Sequence, residues 1–218
     1  MADERSMGVV MRTRPLTETS LIVQWLTPHL GRVSTVAKGA RRPKSAFRGK
    51  LDLFYEADFS FQRSRRSDLH ALREVSLLAT HSGLRQDIDR LAQISYLASL
   101  VEQATEVETP LPEFYALFVS VLTELESHPP RLATIFAFEW RLLGLLGLSP
   151  DLDVIALDEG SRQVLIRLGS LDWSTILRMQ LSPAQGMQIQ RFLRGLMSSH
   201  LDRIPSGRER VLNCEGMD

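Results

Sequence analysis

A single cysteine, Cys214, stands in 218 residues, so no disulfide can close within the chain and a reducing compartment is expected. The five histidines, His29, His70, His81, His128 and His200, are never closer than eleven positions, which excludes a helical or turn-borne metal pair. No apolar run approaches the roughly 18 to 20 residues of a membrane span. The opening MADERSM is acidic and polar and lacks a signal-peptide core, so the expected location is cytoplasmic, with no membrane partner. Catalytic signatures are missing as well: there is no GxxxxGK[ST], no GxGxxG after a strand, no GxSxG and no HExxH. Glu102 and Glu106 lie one helical turn apart, but no cation or apolar pocket accompanies them and they read as a solvated helix face. The chain is therefore expected not to be an enzyme and to need no cofactor.

What is present is a segregated charge. The formal net charge is zero, yet residues 1–80 hold 14 Lys+Arg against 8 Asp+Glu, and residues 81–218 hold 12 against 18. A positive face attached to an acidic support suits phosphate binding, because local rather than total charge sets the attraction. The composition, 44% hydrophobic and 24% charged, is that of a globular protein. A boundary near residue 80 gives two domains, 1–80 and 81–218.

The period of the hydrophobic pattern changes at the same boundary. Met7 to Arg12, Ser20 to Leu26, Arg32 to Lys38, Leu51 to Phe61 and Leu69 to Val75 are short β-rich runs, separated by turn residues and, before the last, by the basic turn Arg63 to Asp68. Five short strands in so little chain predict a closed barrel, which removes exposed edges, and a five-stranded OB-fold is the natural candidate. Beyond Ser82 the spacing is helical: Leu91, Ile94, Leu97, Ala98 and Val101, then Phe114, Leu117, Phe118, Val121, Leu122 and Leu125. Leu132 to Leu146 is apolar nearly all round and predicts a buried central helix. Ser182-Pro183 with Gln185 predicts a capped helix start, ahead of a stripe of Met187, Phe192, Leu193, Leu196 and Leu201. Asp153 to Leu157 and Gln163 to Leu168, around a turn at 158–160, predict a small hairpin insertion at about 153–172. The final SGRERVLNCEGMD reads as frayed. The fold class is thus α+β, an N-terminal barrel followed by an all-α domain.

The candidate chemistry is the cation cluster Arg12, Arg14, Arg32, Lys38, Arg41, Arg42, Lys44, Arg48 and Lys50, interrupted only by Glu18. A cationic loop after the third strand of a small barrel lies beside the groove in which OB-folds track a nucleic-acid strand. The alternative is a solvated loop that serves solubility. Trp25, Phe47, Phe54 and Tyr55 are candidate base stackers, although strand aromatics commonly fill a barrel interior; Phe47, between Ser45 and Arg48-Gly49, is the least core-like.

Gly8-Val9-Val10, Glu18, Leu21-Ile22-Val23, Gly31-Arg32-Val33, and Ala37-Lys38-Gly39-Ala40-Arg41-Arg42 followed by Ser45 together resemble the N-terminal signature of the bacterial RecO family of recombination mediators. FEWRLLGLLGLSPDL at 138–152 is similar to that family's helix and Gly-x-x-Pro exit, which carries the resemblance to about residue 152. The resemblance implies a non-enzymatic protein of DNA repair and homologous recombination. Such a protein binds single- and double-stranded DNA, anneals complementary strands coated by single-stranded-DNA-binding protein, and works with RecR to load RecA at the nucleoid. Members often carry a four-cysteine zinc insertion after that Pro; residues 153–213 contain no cysteine, so no zinc site of that type forms. Either the expected hairpin is held by its own apolar contacts or the segment is rebuilt.

Arg131 and Arg141 flank Leu132, Phe136 and Trp140, a combination suited to the acidic, apolar C-terminal tail of a single-stranded-DNA-binding protein; core packing with two exposed arginines is the alternative. Rival functions are an RNA-directed OB protein, an adaptor without nucleic-acid binding, and a hydrolase without known motifs.

Overall fold

The computed structural model describes residues 3–152 and 155–213. The chain forms two compact units. One comprises the chain up to His81 together with Thr105–Ala116; the other comprises Ser82–Ala104 and the chain from Leu117 onward. The twelve residues 105–116, which the charge boundary near 80 assigns to the helices, thus group with the strands.

The first unit is a closed barrel of β1 (Glu4–Pro15), β2 (Leu21–Thr27), β3 (Gly31–Ala37), β4 (Glu56–Gln62) and β5 (Leu69–Ala79) in the order β1-β2-β3-β5-β4, with β4 returning to β1. All pairs are antiparallel except β3 with β5, in which Ser34 faces Leu69 and Val36 faces Ala71. This is the OB-fold. Alternation puts Val33, Thr35 and Ala37 of β3 inside, with Val23 and Trp25 of β2 and Phe59 and Phe61 of β4. Trp25 stacks on Phe59 with centroids 4.2 Å apart, and its indole N–H donates to Thr35 Oγ1 at 2.9 Å, so the one polar atom of the ring is satisfied inside the barrel.

Three strands differ clearly from the sequence expectation, β5 by running on from Val75 to Ala79. β1 runs longer at both ends, with a register shift between Val10 and Arg12 that places Val9, Val10 and Met11 all in buried positions. The run Leu51 to Phe61 is extended only from Glu56. Before it the chain turns so that Phe54, at φ 64°, buries its ring while its N–H donates to Val10 O and Val10 N–H donates to Tyr55 O.

Gly31 shows why one glycine of the family signature is required. It sits at φ 68°, and a Cβ there would lie 2.1 Å from the carbonyl oxygen of Thr109. The 105–109 segment is bound at this point: Glu108 N–H donates to Arg32 O at 3.0 Å, and Val107 bridges Arg32 in parallel. Gly31→Ala is expected to destabilise the barrel by about 3 kcal/mol, combining left-handed strain with a backbone clash. Chemical denaturation of the variant measures it, and a loss under about 1 kcal/mol would show that the segment yields easily.

The second unit begins with a 3-10 turn at Ser82–Gln86 and α1 (Ile88–Ala104). Then come α2 (Pro112–Ser127), whose first turn belongs to the barrel unit, α3 (Leu132–Leu145), α4 (Glu159–Ser170), the short α5 (Trp173–Ile176), α6 (Pro183–His200) and α7 (Arg208–Leu212). As expected of an all-round apolar segment, α3 is buried continuously from Ala133 to Trp140 and again at Leu142 and Leu143. The α6 start carries the full capping box, Ser182 Oγ accepting from Gln185 N–H and Gln185 Oε1 accepting from Ser182 N–H.

The hairpin expected at 153–172 is not there among the described residues; Asp153 and Val154 lie outside them. Strand alternation would put Val164, Ile166 and Leu168 on one face. Instead the chain buries Val164, Leu165 and Leu168 and leaves Ile166 44% exposed, the signature of a helix. Asp158, read as part of a turn, is the N-cap whose Oδ1 accepts from Ser161 N–H at 2.7 Å. The frayed ending is also corrected: Arg208, Val211 and Leu212 of α7 are buried, while residues 214–218, including Cys214, lie outside the described residues.

Candidate nucleic-acid interface

The basic loop after β3 is a succession of tight turns rather than a loose tether. Arg42 N–H donates to Gly39 O, Ser45 to Arg42, Arg48 to Ser45 and Lys50 to Phe47, each at 3.0–3.2 Å. It is stapled to the β1–β2 turn: Arg41 N–H donates to Thr19 O at 3.0 Å and its guanidinium to Thr17 O at 3.3 Å. The backbone that carries the loop cations is thereby ordered before any ligand arrives, which lowers the ordering cost of binding.

The nine expected cations divide by what their side chains do. Arg32 is structural: Nε donates to Thr105 Oγ1 at 2.9 Å and Nη2 to Thr105 O at 2.5 Å, fixing the 105–109 segment. Lys50 is half-buried and donates to Val75 O at 3.0 Å, pinning the loop to β5. Arg48 donates to Pro43 O within its own loop. Arg12, Arg14, Lys38, Arg42 and Lys44 are exposed, and the last four enter no ion pair among the described residues. Of the aromatics, Trp25 and Phe54 are core, and Phe47 and Tyr55 are partly buried against the barrel cluster.

The structure adds two cations that sequence spacing kept apart. A cleft of about 490 Å³ is lined by Lys38, Arg65 and Arg66, with Leu16, Val36 and Leu69 as its aliphatic part. Arg65 and Arg66 are in the β4–β5 turn, nearly thirty positions beyond Lys38. The parallel β3–β5 pairing brings the start of β5 beside the middle of β3, Ser34 facing Leu69, and the folded turn before it shares the cleft with Lys38; this juxtaposition is not visible in one-dimensional spacing. The basic composition of residues 63–68 was the available signal.

The β4–β5 turn is itself held from below. Arg63 donates to both oxygens of Glu4, at 2.9 and 3.0 Å, and to Glu108 Oε2 at 2.6 Å. That guanidinium holds the Glu4 carboxyl below the usual glutamate range, while the two carboxylates stabilise the Arg63 charge. His70, buried and stacked on Phe61, accepts from Ser64 N–H at Nδ1, and its Nε2 lies 2.6 Å from Glu108 Oε1. Since Nδ1 is the acceptor, Nε2 carries the proton toward Glu108. Arg63 and His70 thus position the turn, and Arg65 and Arg66 project from it into the exposed part.

The family model described as "Recombination protein O N terminal" matches residues 1–81, and "Recombination protein O C terminal" matches residues 85–158. A DNA repair protein RecO of Anaeromyxobacter sp. is 36% identical over 149 residues, 68% of this chain and 59% of that protein. The chain belongs to the RecO family. A second RecO, from Listeria monocytogenes serotype 4b, is 32% identical over 155 residues, covering 71% of this chain and 60% of its own length. The RecO of Exiguobacterium sibiricum is 31% identical over 150 residues, 69% of this chain and 59% of its own. This RecO-family chain therefore spans about three-fifths of the length of those relatives.

The expected tail pocket on α3 is not assembled. Arg131 and Arg141 are ten positions apart, about 15 Å along the axis. Phe136 is fully buried, Leu132 half-buried, and the Arg141 guanidinium donates to the carbonyls of Leu168 and Leu171 while lying 4.5 Å over the Trp173 ring. Arg141 ties the exit of α4 to α5, and burial lowers its pKa from the ordinary arginine value. A carboxylate would have to displace those contacts. Among the described residues no cluster of three or more His, Cys, Asp or Glu side chains is placed to hold a metal, and no helix is long and apolar enough to cross a membrane.

Proposed function

We propose that the barrel unit is a nucleic-acid interface and that the chain acts in DNA repair and homologous recombination as a non-enzymatic mediator. In this reading it binds single- and double-stranded DNA, anneals complementary strands and helps load recombinase onto strands coated by single-stranded-DNA-binding protein, with RecR as a partner. The single observation that carries the reading is the convergence of Lys38, Arg65 and Arg66 on one cleft, with Lys38 leading into the ordered basic loop. Membership in a family whose members are named DNA repair proteins supports the biological setting.

The mechanism is electrostatic. Cations carried on an ordered backbone replace condensed counterions on the phosphates, and the released ions supply the driving force. Neutralising phosphates on two strands at once lowers their mutual repulsion, which is what annealing requires. Binding of a labelled single strand, followed by fluorescence anisotropy across a salt titration, tests it. Log K is expected to fall linearly with log salt, and RNA of the same sequence is expected to compete more weakly than DNA. No binding at about 50 mM salt, where phosphate contacts are strongest, would refute the interface. Equal or better competition by RNA would move the protein to the RNA-directed class.

A further inference from the structure

We infer that the cleft holds a strand by its sugar-phosphate backbone alone, with the bases turned toward solvent. This rests on the nucleic-acid reading above and deepens it. OB-folds that bind single strands ordinarily pair a cationic groove with aromatic platforms on which bases stack. Here no aromatic ring among the described residues of the barrel unit is more than partly exposed. Trp25, Phe54, Phe59 and Phe61 are each 3% exposed or less, and Phe114 and Tyr115 are buried. Phe47 and Tyr55 lie partly buried against the core cluster, which leaves neither ring standing free as a stacking platform. His70 is buried and stacked on Phe61, and the exposed His29 sits in the β2–β3 turn, at the far end of β2 from the cleft.

The lining fits the backbone instead. Lys38, Arg65 and Arg66 suit phosphates, and Leu16, Val36 and Leu69 offer aliphatic surface against which the sugars can pack. A strand held this way leaves its Watson–Crick edges open, so a complementary strand can pair without first displacing the protein. Annealing then follows from the way the strand is held.

The test compares a thymidine oligonucleotide with one of equal length made of abasic sites, using the full chain. The abasic strand is expected to bind within about threefold of the thymidine strand, because stacking would cost it about 5- to 150-fold for each base lost. Permanganate reactivity of the bound thymines is expected to match that of free strand. Arg65→Ala and Arg66→Ala are expected to weaken both oligonucleotides equally, and Arg65→Lys to restore binding, since a point charge serves a phosphate without the planar group. A tenfold or greater loss with the abasic strand, or protected thymines, overturns the inference while leaving nucleic-acid binding intact. Failure of both oligonucleotides to bind overturns the functional reading and the inference with it.

Discussion

Replacing Lys38, Arg42, Arg65 and Arg66 together with alanine is expected to flatten the salt dependence of single-strand binding by roughly 3 in the slope of log K against log salt. Each phosphate contact on a single strand contributes about −0.7, and the four side chains are exposed and enter no ion pair among the described residues. A fourfold rise in salt should then cost the native protein about 50-fold more affinity than it costs the variant. The loss is expected to be uniform across sequences, because phosphate contacts carry no base information. Arg32→Ala and Lys50→Ala are the contrasting pair. Their charges are spent on Thr105 and on the Val75 carbonyl, so these changes are expected to lower stability and leave the slope nearly as it was. An unchanged slope in the folded quadruple variant places the interface away from the cleft.

That contrast marks where one-dimensional reading stops. Arg32 and Lys50 belong to the same dense cationic run as Lys38 and Arg42, and composition cannot distinguish a cation facing solvent from one capping a neighbouring carbonyl. The barrel was legible because its strands alternate: Val33, Thr35 and Ala37 against Arg32, Ser34 and Val36 state in sequence which face is inside. The β4–β5 turn was legible as basic but not as adjacent to Lys38, since the two, nearly thirty residues apart, meet only in the folded barrel. The segment after Asp158 was misread for a local reason. Val164, Ile166 and Leu168 alternate as a strand would, and the competing helical set Val164, Leu165 and Leu168 differs from it by one residue; the Asp158 cap decides the matter. Phe47, amid polar sequence neighbours, is only partly buried against the barrel, whereas Trp25 and Phe54 are fully buried.

Arg208→Met is expected to destabilise the helical unit by about 3 to 5 kcal/mol, the largest stability effect in that unit, although the residue lies in a segment whose sequence reads as frayed. Glu139 is fully buried in the middle of α3 and takes three hydrogen bonds: Arg208 Nε at 2.7 Å, Arg208 Nη2 at 2.9 Å and the Tyr96 hydroxyl at 2.5 Å. Removing the guanidinium strands a carboxylate in an apolar interior with one phenol for company, and the unpaired charge sets the cost. Replacing both members, Glu139→Leu with Arg208→Met, is expected to recover most of that loss, because apolar side chains need no desolvation repayment and Arg208 Nη1 has no hydrogen-bond partner among the described residues in any case. The cycle should therefore show strong positive coupling between the two positions. Burial and the adjacent Glu139 carboxylate push the Tyr96 hydroxyl well above the ordinary tyrosine value of 10.0, so the folded state holds that proton more tightly than the unfolded chain. Stability from this source is complete below pH 10.0 and declines as pH rises beyond it, and Tyr96→Phe is expected to remove that alkaline decline. Denaturant midpoints across pH, with amide exchange in α1 and α3 to locate the opening, measure all of these. A loss below about 1 kcal/mol for Arg208→Met would mean that water reaches Glu139 at little cost, and that α7 docks without holding the helices together.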